Sequence, residues 1–246
     1  MKILSFAITG SFAAFRDPTV TSNQNVYYIP SKSAIVGILG AMIGVPRSSA
    51  LGEMYGQEYY DLFSTTRIGI ALENEPTKIT LFTNHRSLKE AKTKPFKSEL
   101  LEGPKYRIYV SSTDDTLRKL KDVITGKKFV YSPYLGHAYC PATISELEEH
   151  DGNETDQRDR DTRCVILDES ETYRDDFTIT VKPARGQVNS KIIIERHLHH
   201  YVKDGKMERI VLKHWIPVNT KYEIERLSKP ELSNLVEINN DVVCMY

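Results

Sequence analysis

Cysteine and tryptophan are scarce in this chain, with three Cys and one Trp in 246 residues. Cys140, Cys164 and Cys244 are far apart and odd in number, which argues against a disulfide framework and suits a reducing compartment. Long apolar runs are missing too. The uncharged run Ala34 to Val45 falls short of the roughly 20 residues a membrane helix needs, and MKILSFAITG is interrupted by Thr9, Gly10 and Ser11 before a signal-peptide core is complete. These absences lead to the expectation of a cytoplasmic protein without a membrane segment. No GxxxxGK loop precedes the Lys32-Ser33 pair, which excludes a nucleotide-binding P-loop. No Ser-His-Asp or Cys-His order announces a nucleophile, and no cofactor fingerprint is present. Of His197, His199 and His200, two sit at alternate strand positions and share a face, but without Cys or carboxylate at ligand spacing they read as a polar strand face and no metal is assigned.

Net charge is absent as well, since 33 basic residues balance 33 acidic ones. The balance conceals two patches. Residues 84 to 107 hold seven Lys and Arg against three Glu, whereas 146 to 176 hold thirteen acids against four Arg. Such segments can face different partners, nucleic acid for one and protein for the other.

What is present is organised around YYIPSKSAIVGILGAMIGV, residues 27 to 45. Ile35, Ile38, Leu39, Met42 and Ile43 recur at helical spacing and form a core-facing stripe. Ala34, Gly37, Ala41 and Gly44 form a second stripe of small residues. Glycine inside a helix costs about 1 kcal/mol relative to Ala, so a close approach is expected on that side. Pro30 blocks backward extension and Ser31 is a good N-cap. The first turn carries Lys32 and Ser33 and no acid, a seat suited to a phosphate.

The rest is read from periodicity. Ile3 to Thr9 is a strand, and Gly10 to Ile29 a loop carrying Arg16. Arg67 to Leu72 and Lys78 to Thr83 are strands, and Asn84 to Pro104 is a basic insertion longer than most connections. Lys105 to Ser111 is a strand with Lys105, Arg107 and Tyr109 on one face. A helix capped by Asp114 or Asp115 runs to Thr125, and Phe129 to Tyr131 returns as a strand. This order is that of a ferredoxin-like or RNA-recognition fold. The expected class is therefore α+β. A ferredoxin-like domain at 1–140 carries a basic arm at about 84–104, and an all-β region at 141–246 contributes strands at Arg163 to Leu167, Phe177 to Val181, Ile192 to His200 and Met207 to Trp215.

ITGSFAAFRDP, YYIPSKSAIVGILGAMIGV, PKYRIYV and YSPYLG together resemble the CRISPR-associated Cas-five family, most closely its type I-B branch. The resemblance covers roughly residues 1 to 140. It implies a RAMP-superfamily fold and a non-catalytic RNA-binding subunit that grips the 5′ handle of a CRISPR RNA within the Cascade complex. It also implies that the insertion is a thumb-like arm reaching the neighbouring backbone subunit, with the large subunit as a further partner. RNA contacts are expected from Arg16, Tyr28, Ser31, Lys32, Ser33, Arg86, Lys92, Lys94, Lys105 and Arg107. A type I-C branch cuts precursor RNA with a Tyr, Lys and His set. Tyr28 is available for it, but Lys213-His214 lies far along the chain, so a metal-independent endoribonuclease is the alternative.

Overall fold

The computed structural model describes residues 1–20, 24–48, 54–86, 92–155, 161–168, 180–187, 189–203, 206–226, 234–239 and 241–246. Outside them lie residues 87–91 of the expected arm, the start of the expected strand at 177, Asp204 and Gly205, where a turn was expected, and much of the acidic segment. In chain order, β1 (Lys2–Thr9) and β2 (Phe12–Ala13) precede α1 (Lys32–Ile43) and α2 (Gln57–Thr65). Next come β3 (Arg67–Leu72), β4 (Thr77–Arg86), β5 (Thr93–Glu102), β6 (Lys105–Ser111), α3 (Asp114–Gly126) and β7 (Thr143–Asp151). The C-terminal strands are β8 (Asn153–Glu154), β9 (Asp161–Thr162), β10 (Ile166–Asp168), β11 (Thr180–Pro183), β12 (Ile192–Lys203), β13 (Lys206–Pro217), β14 (Tyr222–Arg226), β15 (Asn234–Ile238) and β16 (Asp241–Met245).

The principal sheet has the order β3-β6-β1-β7, antiparallel throughout. Alternation decides its faces. Leu4, Phe6, Ile8, Ile68, Ile70, Tyr106, Ile108 and Val110 point to one side and form a core with Ile35, Ile38, Leu39 and Met42 of α1 and Leu117, Leu120 and Ile124 of α3. Ile3, Ala71 and Tyr109 point to the other side, where Val236, Val243 and Met245 of β15 and β16 cover them. Gly69 permits that approach, because a Cβ there would lie 2.4 Å from Val243 Cγ1. The edge of β3 is closed as well. Ile68 and Tyr246 exchange backbone hydrogen bonds of 2.9 Å, and Val165 N donates to Ile70 O at 2.7 Å. An edge strand left unpaired would be a template for association, and here the end of the chain occupies it.

Four local expectations are corrected. The strand expected at Phe129 to Tyr131 is absent; Val130 N and Tyr131 N instead donate to Met42 O and Ala41 O, satisfying carbonyls at the C-terminal end of α1. The principal sheet takes its last strand, β7, from residues 143–151, beyond residue 140. Acidic residues masked its alternation, since its charges lie on exposed positions while Ile144 is buried. The insertion is also more ordered than a loop. β4 and β5 form a ten-residue antiparallel ribbon from Thr77↔Glu102 to Arg86↔Thr93. The cap of α3 is Thr113, whose hydroxyl accepts from Thr116 N at 3.3 Å, with Asp114 and Asp115 in the first turn.

α1 follows its sequence closely. Ser31 Oγ accepts from Ala34 N at 3.3 Å, and Gly44 closes the helix in the left-handed region at φ 86°. The expected close approach to its small stripe is only partly there. A Cβ at Gly40, beside the stripe, would lie 3.0 Å from Val45 O, but Gly37 has nothing within 4 Å.

Candidate nucleic-acid interface

A cleft of about 420 Å³ opens at the N-terminus of α1, lined among others by Arg16, Ser31, Ser33, Arg47, His137 and His200. Several separate stretches of chain meet there. The loop carrying Arg16 folds back on itself through an Arg16↔Val26 bridge and a Tyr27 N to Phe15 O bond of 2.9 Å. Asp17 Oδ1 locks it by accepting from Tyr27 Oη at 2.8 Å and Thr19 Oγ1 at 2.6 Å. Gln24 attaches the loop to β5, donating from N to Lys97 O at 3.1 Å and accepting from Glu99 N at 2.8 Å. His137 is set by Gly136, at φ 83°, where a Cβ would lie 2.3 Å from Ala14 O. Only glycine fits that turn.

The charge of the cleft follows from its partners. Arg16 and Arg47 are exposed, and among the described residues neither has a carboxylate partner. Arg47 packs over the Tyr55 ring at 5.2 Å. Burial, with Arg209 and Arg47 nearby, holds His200 below its ordinary pKa, so it is neutral at pH 7. Glu99 also lines the cleft, but it accepts from Val26 N at 3.3 Å and lies 3.6 Å from Lys97 Nζ. The first turn of α1 has no acid, so its free amides and the two guanidiniums together favour an anion.

The residues expected to contact RNA do not form one group. Arg16, Ser31 and Ser33 share the cleft. Lys32, expected at the helix surface, is partly buried on the other side, with its ammonium 4.8 Å from the centre of the Phe63 ring of α2. Burial and the nearby Arg67 bring it down to about 8. Tyr28 is half-buried, its ring beneath Lys78 Nζ at 4.2 Å and its amide donating to Glu195 Oε2 at 2.9 Å. Arg86, Lys92 and Lys94 are exposed at the far end of the β4–β5 ribbon. Lys105 and Arg107 do share a face of β6, yet that face is not free. Glu73 and Glu146 bind both: Lys105 Nζ lies 3.1 Å from Glu73 and 3.4 Å from Glu146, and Arg107 Nε lies 3.0 Å from Glu73 while its guanidinium also pairs with Glu146.

The histidine strand face is a buried network. His197 stacks on Tyr27 with centroids 3.9 Å apart, lies 4.5 Å from the His214 ring, and bonds Glu195 Oε2 at 2.9 Å. Glu195 thereby ties β12 to Tyr28 N and, at 3.3 Å, to Lys78 of β4. Lys213 and His214 point to opposite faces of β13: Lys213 pairs with Asp168 at 2.9 Å while His214 is buried. They do not form a Tyr, Lys and His set with Tyr28. Arg47 carries no signal in the sequence, and His200 reads there only as part of a polar strand face. Arg47 follows a Pro after the helix and only the returning chain brings it to the cleft, while His200 sat in a run that looked like an ordinary polar strand.

Residues 3–197 match the family model described as CRISPR-associated protein (Cas_Cas5). No curated protein matches the chain. Among solved structures, a CRISPR protein from Archaeoglobus fulgidus is similar over 99% of this chain and 99% of that one, with a TM-score of 0.59 at 14% identity. A chain described as a CRISPR RNA-guided surveillance complex is similar over 92% of this chain and 94% of its own, with a TM-score of 0.47 at 12% identity. The first likeness supports the fold, and the family follows from the match over most of the sequence: the chain belongs to the CRISPR-associated Cas5 family.

Proposed function

We propose that this chain is a non-catalytic RNA-binding subunit of a type I CRISPR effector complex, holding the 5′ handle of the CRISPR RNA at the cleft beside α1. The observation that carries the reading is the meeting of Arg16, Arg47 and the acid-free start of α1 at one cleft, in a chain of this family. Phosphate contacts of this kind position RNA without reading its sequence. The order β3-β6-β1-β7 with α1 and α3 on one face supports the ferredoxin-like, RAMP-type reading of the N-terminal part. The β4–β5 ribbon, with Arg86, Lys92 and Lys94 at its end and Phe82 77% exposed, suits an arm that reaches the backbone subunit. The large subunit completes the expected partners, and the cytoplasm is the expected place. Among the described residues no helix is long and apolar enough to cross a membrane.

One observation favours the alternative, a metal-independent endoribonuclease acting on precursor RNA: His137 and His200 line the same cleft. Two experiments separate the readings. The complex assembled with this chain should bind handle RNA more tightly than the complex lacking it, and equal affinity contradicts the subunit role. Cleavage of repeat RNA in EDTA by the purified chain, abolished by His137→Ala or His200→Ala, would establish the enzyme instead.

A further inference from the structure

The stretch after α3 is anchored in the fold, yet it carries large side chains to the surface. Leu135 is fully buried and anchors it, with its carbonyl accepting from Ala14 N at 2.9 Å and its amide donating to Cys140 O at 2.8 Å. Around that anchor Val130, Tyr131, Tyr134 and Tyr139 are 57%, 60%, 46% and 55% exposed. Large apolar side chains gathered on a surface mark an interaction site more often than chance exposure does. His137 and Tyr139 are already stacked on each other, with centroids 4.0 Å apart.

The surroundings select the partner. Gly136 and His137 of this stretch line the cationic cleft. A second cavity of about 290 Å³ continues from it, bounded by Tyr134 and Gly136, by Arg47, and by Ser33, Gly37 and Ala41 of α1. Exposed Lys127 and Lys128 stand at the start of the stretch. Aromatic faces beside cations with no carboxylate partner fit single-stranded nucleic acid, whose bases stack while its phosphates meet the charges. A protein partner would need its own acidic rim to answer Arg47, Lys127 and Lys128. Gly37 fits the same occupant: it weakens the helix, a Cβ there would meet nothing within 4 Å among the described residues, and it lines the second cavity.

We infer that the 127–139 stretch and the facing side of α1 form a base-stacking platform, on which unstacked bases of single-stranded RNA lie on Tyr134 and Tyr139 next to the phosphate cleft. The inference rests on the RNA-holding role proposed above and adds where the bases go.

The test uses the full chain and single-stranded RNA carrying 2-aminopurine, whose fluorescence falls on stacking. Tyr134→Leu and Tyr139→Leu replace exposed side chains, and circular dichroism checks that each variant is folded. Each should weaken binding at least about 5-fold, restore fluorescence and leave the salt dependence unchanged, because no phosphate contact is lost. Gly37→Leu, whose Cβ meets nothing within 4 Å, should fill the second cavity and also restore fluorescence. Arg16→Ala should do the reverse, reducing the salt dependence while quenching persists at saturation. If both tyrosine variants and Gly37→Leu bind and quench like the parent while Arg16→Ala weakens binding, the platform is refuted and the phosphate cleft stands. If Arg16→Ala and the tyrosine variants all bind RNA as the parent does, both are refuted.

Discussion

The outer face of β6 and the cleft at the start of α1 each present two strong cations, and their surroundings differ. On β6, Lys105 and Arg107 are shared between Glu73 and Glu146, and the ion pairing depresses the Glu146 pKa while raising that of Lys105. In the cleft, Arg16 and Arg47 have no carboxylate partner among the described residues. The sheet face behind β6 is closed as well, because β15 and β16 cover its neighbours. A strand that looks basic and aromatic can therefore be spent on internal pairing, while two arginines with no local pattern stay unpaired among the described residues. Exposure and unsatisfied charge, more than the number of cations, mark the surface that attracts phosphate.

The largest way to break this contrast is to dismantle the cleft. Gly136→Val puts a branched side chain at φ 83° and 2.3 Å from Ala14 O. It should cost about 3 kcal/mol or more, lowering Tm by roughly 6 to 12 °C for a chain of this size. A Tm within a degree of the parent would show that the 134–137 turn does not hold the cleft. Nothing comparable should follow from Glu146→Gln, which lies on the exposed rim of the neutralised face.

Acid comes next and probes His199 and His214, two buried imidazoles of β12 and β13. Burial holds His199 down at about 3, with Lys32, His200 and His197 adding to it, and His214 is likewise held well below its ordinary value by burial. The unfolded chain binds protons at these groups below about pH 6.5 and the folded chain does not. Stability is therefore fully present above that pH and is lost as pH falls from 6.5 towards 3. His199 alone should cost about 2 kcal/mol at pH 5, a fall in Tm of roughly 4 to 8 °C from pH 7.5. An unchanged Tm would mean that these imidazoles protonate in the folded state.

α1 was legible because its main signals are local: Ser31 caps, Pro30 stops, and Ile35 to Met42 keep one period; that Gly44 closes it in the left-handed region was not read. The strands β1, β3 and β6 were legible for the same reason. β7 was not, since its exposed face is so acidic that a half-buried strand reads as a solvated loop. The cleft was half legible. Arg16, Ser31 and Ser33 were found, whereas Lys32 turns under α2 and Arg47 arrives by tertiary folding alone. The pairing of Lys105 and Arg107 required Glu73 and Glu146, which come from two other segments and show no spacing relation to β6.

The smallest effect sharpens the contrast from the helix side. The sequence suggested that a bulky residue at Gly37 would harm packing, but the space over it is open. Gly37→Ala should instead stabilise the fold by about 0.8 to 1 kcal/mol through helix propensity, a rise in Tm of roughly 2 to 4 °C. A fall would reveal a close contact on that face.

On the proposed reading, RNA meets the cleft and not the face of β6. The most direct measurement is the salt dependence of single-stranded RNA binding by two double variants, Arg16→Ala with Arg47→Ala and Lys105→Ala with Arg107→Ala. Each phosphate contact contributes about 0.7 to the slope of log K against log salt. The slope should be smaller by about 1.4 for the cleft pair and unchanged for the β6 pair. The opposite result, with the cleft pair unchanged and the β6 pair reduced, would contradict it.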